Sequence, residues 1–169
     1  MVQIQRILPG QGQQLRQLRL HSVADADHAF AMSTPQLQQT THDQWEQMCA
    51  HYSHGRDTIV VAQSPAGALV GMAAMRIDPS HKLQHTGQVW GVFVAPEWRG
   101  QALGTRLMEH IINHGATLGL YCLKLSVTQA QVAAIHLYTR LGFTPYACEP
   151  ALLYVAGRYV DAIHMYYLY

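Results

Sequence analysis

The sequence predicts an α+β fold, with helices packed around one mixed β-sheet. Two observations support this class. Strand and helix signals begin with strands, continue as strand–helix–strand–helix and end with strands, an order typical of helices packed on a single sheet. The run at residues 88–94, which contains VWGVFV, is apolar on both faces, as in an interior strand that is covered on both sides. With 169 residues and no linker or repeat, the chain is predicted to form one domain, residues 1–169.

The first half of the chain is predicted to contain three strands and two helices. Apolar residues at helical spacing support the first helix, and a threonine N-cap signal supports the second. Two β-rich runs on either side of SPAG predict a hairpin. In chain order, the predicted elements are a strand at residues 2–8, a helix through Leu15, Leu18 and Val23, a helix end and loop at 24–35, a helix from Thr41 and Asp43 through Trp45, and strands at 58–63 and 68–77.

The second half begins with the interior strand, in which Gly91 predicts a bulge or the close approach of another backbone. Two amphipathic helices follow, separated by an alternating strand. The tail is predicted to form short strands with a hairpin turn at Gly157-Arg158. In order, these elements are a helix through Leu103, Leu107, Ile111 and Leu118, a strand at residues 121–128, a helix through Val132, Ile135, Tyr138 and Leu141 with Gly142 as its C-cap, and strands at 143–148, 151–155 and 163–169.

Composition excludes several classes of function. The formal net charge of +1 provides no strong field for nucleic acid or an anionic membrane, and no apolar run is long enough to cross a bilayer. Three cysteines without metal-type spacing, and an N-terminus without a signal segment, predict free thiols in a cytoplasmic protein. Among the eleven histidines, His110 and His114 share a helix face, but no third ligand is near them, so no metal is predicted.

The segment RGQALG, residues 99–104, connects the interior strand to the next helix and contains two glycines. The start of a helix exposes unpaired backbone N–H groups and carries partial positive charge, so it can bind an anion without a basic side chain. Glycine allows a ligand to approach the backbone, and Arg99 adds a donor for phosphate oxygens. By itself, this segment predicts either a phosphate-binding loop or an ordinary strand-to-helix turn.

Three blocks together resemble the GCN5-related N-acetyltransferase (GNAT) superfamily: VFVAPEWRGQALGTRL, LKLSVT and QVAAIHLYTRLGF. The family loop reads Gln/Arg-x-x-Gly-x-Gly/Ala, which Arg99 and Gly104 match, while Ala102 replaces the first glycine. The later LYTRLGF is close to the family's LYxKxGF. The resemblance is strongest over residues 88–143. It implies a central, mostly antiparallel mixed sheet with two splayed parallel strands and about four flanking helices.

The resemblance also implies a cosubstrate and a reaction. Acetyl-coenzyme A (acetyl-CoA) would bind between the splayed strands, and an acceptor amine would attack its thioester directly. Tyr138 matches the tyrosine that commonly protonates the leaving thiolate, although its helical spacing equally suits the core. A strand N–H near Val94 would stabilise the developing oxyanion. The residues implied to bind the cosubstrate are Phe93, Val94, Arg99, Gly100, Gln101, Ala102, Leu103, Gly104, Thr105 and Gln131.

Two further residues depart from the family pattern. Gln131 stands where many relatives have an asparagine that contacts the pantetheine arm. Gln88 stands where many have a glutamate that deprotonates the amine, and glutamine is no base at neutral pH. Glu97, His85 and Glu149 are alternative bases, but each also suits a surface or structural role.

The acceptor is left open, and so is the choice between an enzyme and a non-catalytic acyl-CoA-binding or sensing protein. A dinucleotide oxidoreductase is disfavoured because the loop lacks GxGxxG. The tail MYYLY allows either a homodimer contact or an interior strand. Small primary amines, amino acids, polyamines, aminoglycosides and protein N-termini all stay open as acceptors, with Asp25, Asp27, Trp45, Glu46, Glu149 and Tyr159 as residues on the acceptor side.

Overall fold

A computed structural model describes all residues, 1–169, and has one seven-stranded sheet with helices on both faces. The α+β prediction is therefore confirmed. The strands are β1 (Gln3–Arg6), β2 (Thr58–Gln63), β3 (Leu69–Ile77), β4 (Thr86–Val94), β5 (Cys122–Thr128), β6 (Thr144–Val155) and β7 (Arg158–Leu168). The helices are α1 (Gly12–Asp25), α2 (Thr34–Gln39), α3 (His42–Tyr52), α4 (Leu103–Thr117) and α5 (Val132–Arg140).

The strand order across the sheet is β1-β2-β3-β4-β5-β7-β6. Every neighbouring pair is antiparallel except β4 and β5, which are parallel. The connection between these two strands contains α4, as a parallel crossover requires. The mostly antiparallel sheet with one central parallel pair is the arrangement that the resemblance implied.

Each face of the sheet has its own apolar core. Alternate residues of β2 point to opposite faces, so Val60 joins the core under α4 while Ile59 joins the core under α1, α2 and α3. The interior strand β4 contributes to both cores, with Val89 in the first and Phe93 in the second. The predicted two-sided burial of the interior strand is confirmed.

The predicted bulge lies at Gly91, where the φ angle is +65°. The β3–β4 register shifts there, so that two residues of β4 stand opposite Ala73 alone. The shift also moves Val92 to the face already occupied by Val89, although strict alternation would place it on the other face. Only glycine adopts a positive φ without steric cost, which explains this residue in the middle of a buried strand.

The stretch at residues 24–35 contains more regular secondary structure than the predicted helix end and loop. It includes a 3₁₀ turn at Asp27–Ala29, and α2 begins at Thr34, giving five helices rather than about four. Ser33 and Gln36 form a capping box, in which the Ser33 N–H donates to Gln36 Oε1 at 2.8 Å. This serine-to-glutamine spacing was the sequence signal for α2. None of the five helices combines the length and the hydrophobicity that a bilayer crossing requires.

The prediction of three short tail strands was wrong, because the tail forms one long hairpin of β6 and β7. The gap predicted near residue 150 is a register shift between Glu149 and Leu153, stabilised by the Ala151 N–H, which donates to Asp161 Oδ1 at 2.8 Å. The turn lies at Ala156-Gly157 rather than at Gly157-Arg158. Both turn residues have positive φ angles, 49° and 78°, as a two-residue turn matched to strand twist requires.

Candidate active site

The central feature of the site is a gap between the two parallel strands. β4 and β5 pair over only three residues, from Thr86 opposite Cys122 to Gln88 opposite Lys124, and then separate. Beyond Gln88, the edge of β4 that faces β5 has no strand partner. A cavity of about 1280 Å³ fills the space between the separated strands and reaches α1 and α5. The sheet therefore presents an exposed strand edge inside a large cavity.

The structure brings six of the predicted site residues together around this cavity: Phe93, Val94, Arg99, Gly104, Gln131 and Tyr138. The other five do not line it. They form the turn and first helical residues at the mouth, and they are Gly100, Gln101, Ala102, Leu103 and Thr105.

The turn into α4 leaves backbone donors free. The Arg106 N–H is the first to donate to the helix, to the Ala102 carbonyl oxygen at 3.0 Å, so the N–H groups of residues 103–105 have no helical acceptor. Gly100 has a φ of +77° and open space around its α-carbon. At Gly104, an added methyl group would lie 3.2 Å from Leu137, so glycine permits close packing of α4 against α5. This geometry can bind an anion.

Ala102 is the N-cap of α4 and adopts a left-handed conformation, with φ 56° and ψ 19°. An L-residue with a side chain pays about 1–2 kcal/mol for this conformation, whereas glycine does not. The position that departs from the family glycine therefore still has the glycine-type backbone.

Arg99 is bound to protein groups rather than free. Its Nε donates to the Val94 carbonyl oxygen at 3.0 Å, and its Nη2 donates to Asp25 Oδ2 at 2.5 Å. The guanidinium also lies 5.9 Å from the centre of the Phe93 ring. In this structure Arg99 connects the end of β4 to the C-terminal end of α1, at the cavity mouth.

Tyr138 belongs both to the core and to the cavity. Its side chain is 6% exposed, its ring packs against Phe143 with centroids 5.9 Å apart, and it lines the cavity. Burial raises the pKa of the Tyr138 phenol above its usual value, which keeps the hydroxyl protonated at neutral pH. Packing and chemistry are compatible here, because a phenol has an apolar body and a polar tip.

Gln131 reaches across the cavity to the segment after α1. Its Nε2 lies 2.9 Å from Nε2 of His28, which also lines the cavity. This contact joins positions that are 103 residues apart in the sequence. The structure brings no group of three or more His, Cys, Asp or Glu side chains together as metal ligands.

The alternative bases lie outside the cavity. Gln88 lines it, but Glu97, His85 and Glu149 do not. Glu149 instead accepts from Nε2 of His164 at 2.6 Å. The geometry therefore supports the surface or structural role for these three residues.

Most of the residues assigned to the acceptor side have structural roles. Trp45 is 2% exposed in the core, and the Glu46 carboxylate accepts hydrogen bonds from the N–H groups of Gly10 and Gly12 at 2.9 Å each. Asp25 alone among the six lines the cavity, and it is paired with Arg99.

Sequence reasoning missed Arg19, which is buried at 6% exposure in the cavity wall beside Phe30 and Trp90. The signal was available, because Arg19 lies four residues after Leu15 and therefore on the apolar face of α1. A charged residue on a core-facing stripe is buried only with a partner or for a function.

Comparisons with known proteins agree with this geometry. The model of the Acetyltransferase (GNAT) family matches residues 21–143. An acetyltransferase of the GNAT family from Streptococcus pneumoniae has a similar structure, with a TM-score of 0.91 at 19% identity over 100% of both chains. A GNAT superfamily phosphinothricin acetyltransferase from Sinorhizobium meliloti, in complex with acetyl-CoA, has a TM-score of 0.84 at 17% identity, over 99% of this chain and 88% of that one.

Among curated relatives, the spermidine N(1)-acetyltransferase of Escherichia coli K12 is 33% identical over 82 residues, which are 48% of this chain and 44% of that protein. The chain thus spans less than half of this relative's length. The family model, in contrast, matches well over half of this chain, including the separated strands, the turn into α4 and Tyr138. The chain therefore belongs to the GNAT family of acetyltransferases.

Proposed function

We propose that this chain, acting as one domain, is an N-acetyltransferase that transfers the acetyl group of acetyl-CoA directly to a primary amine. The observation that carries the proposal is the separation of β4 from β5 above the cavity, which frees a strand edge beside a helix N-terminus. Two relatives point to the same chemistry. One is named a spermidine N(1)-acetyltransferase, and the other was solved in complex with acetyl-CoA.

The free edge of β4 suits the pantetheine arm, which carries amide groups. The Ala95 N–H donates to Val70 of β3 at 2.9 Å, on the edge away from the cavity. Backbone groups of successive strand residues point to opposite edges, so the Val94 N–H is directed toward the cavity. This N–H is the proposed donor to the thioester oxygen, where negative charge develops.

The turn into α4 suits the pyrophosphate. Its free N–H groups at residues 103–105 and the open space at Gly100 would accommodate phosphate oxygens at the positive end of the helix dipole. Gln101 and Ala102 complete the turn. Gln131 would contact the pantetheine arm from the opposite wall. It would do so either after its contact with His28 breaks or while that contact is kept.

In the proposed reaction the amine nitrogen forms a bond to the acetyl carbon, and the carbon–sulfur bond breaks. Tyr138 donates its phenolic proton to the departing thiolate and regains one from the solvent. The amine enters the site in its neutral form, and after the attack its nitrogen loses one proton to water. Water accepts this proton because none of the candidate bases Glu97, His85 and Glu149 lines the cavity. The position of Tyr138 in the cavity wall supports this role, because its phenol is protonated at neutral pH and can reach a bound thioester.

The proposal is tested by calorimetric titration with acetyl-CoA, followed by an assay of thiol release across a panel of amines. We expect binding and amine-dependent thiol release. Binding without release on any amine would favour the alternative, a non-catalytic acyl-CoA sensor, for which Gln88 in place of the usual glutamate is the motivating feature. Absence of binding would contradict both functions.

We expect Ala102→Gly to bind acetyl-CoA at least as tightly as the parent. The substitution removes a methyl group beside the proposed pyrophosphate site and relieves about 1–2 kcal/mol of left-handed strain. The larger unfolded-state entropy of glycine offsets about 0.5–1 kcal/mol of that gain. Calorimetry gives the affinity, and urea denaturation gives the stability. Weaker binding by a folded Ala102→Gly protein would show that the turn does not contact the phosphates at this position.

Asp25→Asn is expected to strengthen acetyl-CoA binding by up to about fivefold at low salt, because an exposed ion pair is worth about 0–1 kcal/mol. The substitution releases Arg99 for a phosphate contact. Arg99→Gln is expected to weaken binding and to flatten its dependence on salt, and Asp27→Asn is the matched control without an ion pair. Equal affinities in all three variants would show that Arg99 serves only to connect α1 and β4.

A further inference from the structure

Arg19 is a buried cation without a protein counterion. Its side chain projects from α1 into the cavity wall, is 6% exposed, and takes part in none of the ion pairs of the structure. Its Nη1 has no hydrogen-bond partner. Burial lowers the pKa of the Arg19 guanidinium, and no neighbouring carboxylate opposes the shift. Arginine stays charged in proteins, so this site carries an uncompensated positive charge.

Two aromatic side chains pack against the Arg19 guanidinium and leave its N–H donors free. Its guanidinium carbon lies 5.4 Å from the Phe30 ring centre and 5.7 Å from that of Trp90. Aromatic faces stabilise a cation without accepting its N–H groups in the plane of the guanidinium. The indole Nε1 of Trp90 is also buried without a partner. Arg19 and Trp90 therefore form a corner of the cavity in which both side chains have unpartnered hydrogen-bond donors. A ligand bound at this corner would supply the hydrogen-bond acceptors.

The corner lies against β4, the strand whose Val94 N–H is the proposed donor to the thioester oxygen. Gly91 is the bulged residue of β4, and a methyl group at its α-carbon would lie 3.4 Å from Arg19 Nη1. The guanidinium thus lies within contact distance of the bulge. A group held by Arg19 would lie beside β4, close to where the strands separate.

The other charges of the cavity do not favour a polycation. Arg76 and Lys124, both exposed to solvent, add two positive charges to the lining. Of the two carboxylates, Asp25 is paired with Arg99, and Asp78 accepts from the Ser80 N–H at 2.8 Å at the exposed end. A spermidine-like acceptor would place its second cation in a cavity that is already positive.

We propose that the acceptor is an amine that carries a carboxylate, with the amine on the carbon next to the carboxyl carbon, and that Arg19 binds this carboxylate. This inference rests on the proposed acetyl transfer. The carboxylate supplies the acceptor atoms that Arg19 and Trp90 lack, and a charge-assisted hydrogen bond in a buried site is stronger than one in water. A carboxylate held by Arg19 beside Gly91 would keep an amine one carbon away within the cavity that also contains Val94 and Tyr138.

The test compares matched acceptors that differ only in the carboxyl group. Methionine, leucine and phenylalanine are each assayed with acetyl-CoA beside their primary amides and their decarboxylated amines, and spermidine is included. We expect kcat/KM for at least one amino acid to exceed that of its amide by about tenfold or more, as loss of a hydrogen bond to a charged group predicts. Comparable rates for acids and amides, or a preference for spermidine, would overturn the carboxylate inference and leave acetyl transfer intact.

Substitutions of Arg19 test whether this residue is the source of the selectivity for the carboxylate. In Arg19→Met, KM for the amino acid is expected to rise by about tenfold or more, while the rates with the amides and the affinity for acetyl-CoA stay unchanged. Arg19→Lys keeps the charge and is expected to retain part of the selectivity. Arg16→Met, on the same helix but outside the cavity wall, is the matched control. An equal loss for acids and amides in Arg19→Met would assign Arg19 a packing role and overturn the inference.

A binding measurement separates this inference from the proposed function. Calorimetric titration of the wild type with the same amino acids and their N-acetyl derivatives reports carboxylate binding even where no acetyl group is transferred. Binding that disappears in Arg19→Met supports the carboxylate site even where the transfer assay detects no turnover on any amine. No binding of any amino acid or N-acetyl amino acid to the wild type would overturn it.

Discussion

Replacement of Tyr138 by phenylalanine is expected to lower kcat by about 10²- to 10⁴-fold, the usual contribution of a positioned proton donor. The phenyl ring keeps the packing against Phe143, and the lost hydroxyl makes no hydrogen bond within the protein. Folding and acetyl-CoA affinity should therefore stay close to those of the wild type. Single-turnover kinetics measure the chemical step, and calorimetry measures the affinity. A kcat within about twofold of the wild type would remove Tyr138 from the proposed mechanism.

The raised pKa of Tyr138 predicts that folding stability depends on pH in the alkaline range. Burial raises its pKa in the folded state above the value of about 10 for free tyrosine, so the folded state holds its proton more tightly than the unfolded state. The resulting stability is complete below about pH 10 and is lost as the pH rises further. Tyr138→Phe should therefore unfold at a higher alkaline pH than the wild type. Tyr154→Phe, at an exposed position, is the control and should not shift this midpoint.

Gly91→Val is expected to destabilise the fold by roughly 2–5 kcal/mol. About 1–2 kcal/mol comes from placing a side chain at a φ of +65°, and about 1–3 kcal/mol comes from crowding a packed core. A β-carbon at this position would lie 3.0 Å from Met72 Cε. The midpoint of urea denaturation measures the loss, and failure to fold would be its extreme form.

Gly67→Val is the matched control for this prediction, because Gly67 also has a positive φ, +87°, but has open space around it. It should lose only the cost of the backbone conformation, about 1–2 kcal/mol. A loss in Gly91→Val no greater than that in Gly67→Val would show that the β4 bulge accommodates a side chain.

The sequence pointed to specific residues for the proposed cosubstrate half of the site and left the proposed acceptor half open. The turn at residues 99–104 and the helix with Tyr138 lie in contiguous segments, so their residue order carries the information. The proposed acceptor half is assembled from α1, the segment after it and β4, and its residues have no common spacing in the sequence. Arg19 shows this difference, since its chemistry depends on the absence of a carboxylate within reach, which no local pattern records.

The sequence alone determined the α+β class, the two-sided burial of β4, a bulge or close backbone approach at Gly91, and the glycine-bearing turn into α4. These features depend on interactions between residues that are close in the chain, such as alternation, capping and the φ preference of glycine. The tertiary structure alone decided that β4 and β5 separate after three pairs, that Arg99 pairs with Asp25, 74 residues away, and that Arg19 is buried without a partner. Contacts between distant segments depend on how the whole chain packs, and local spacing does not specify that packing.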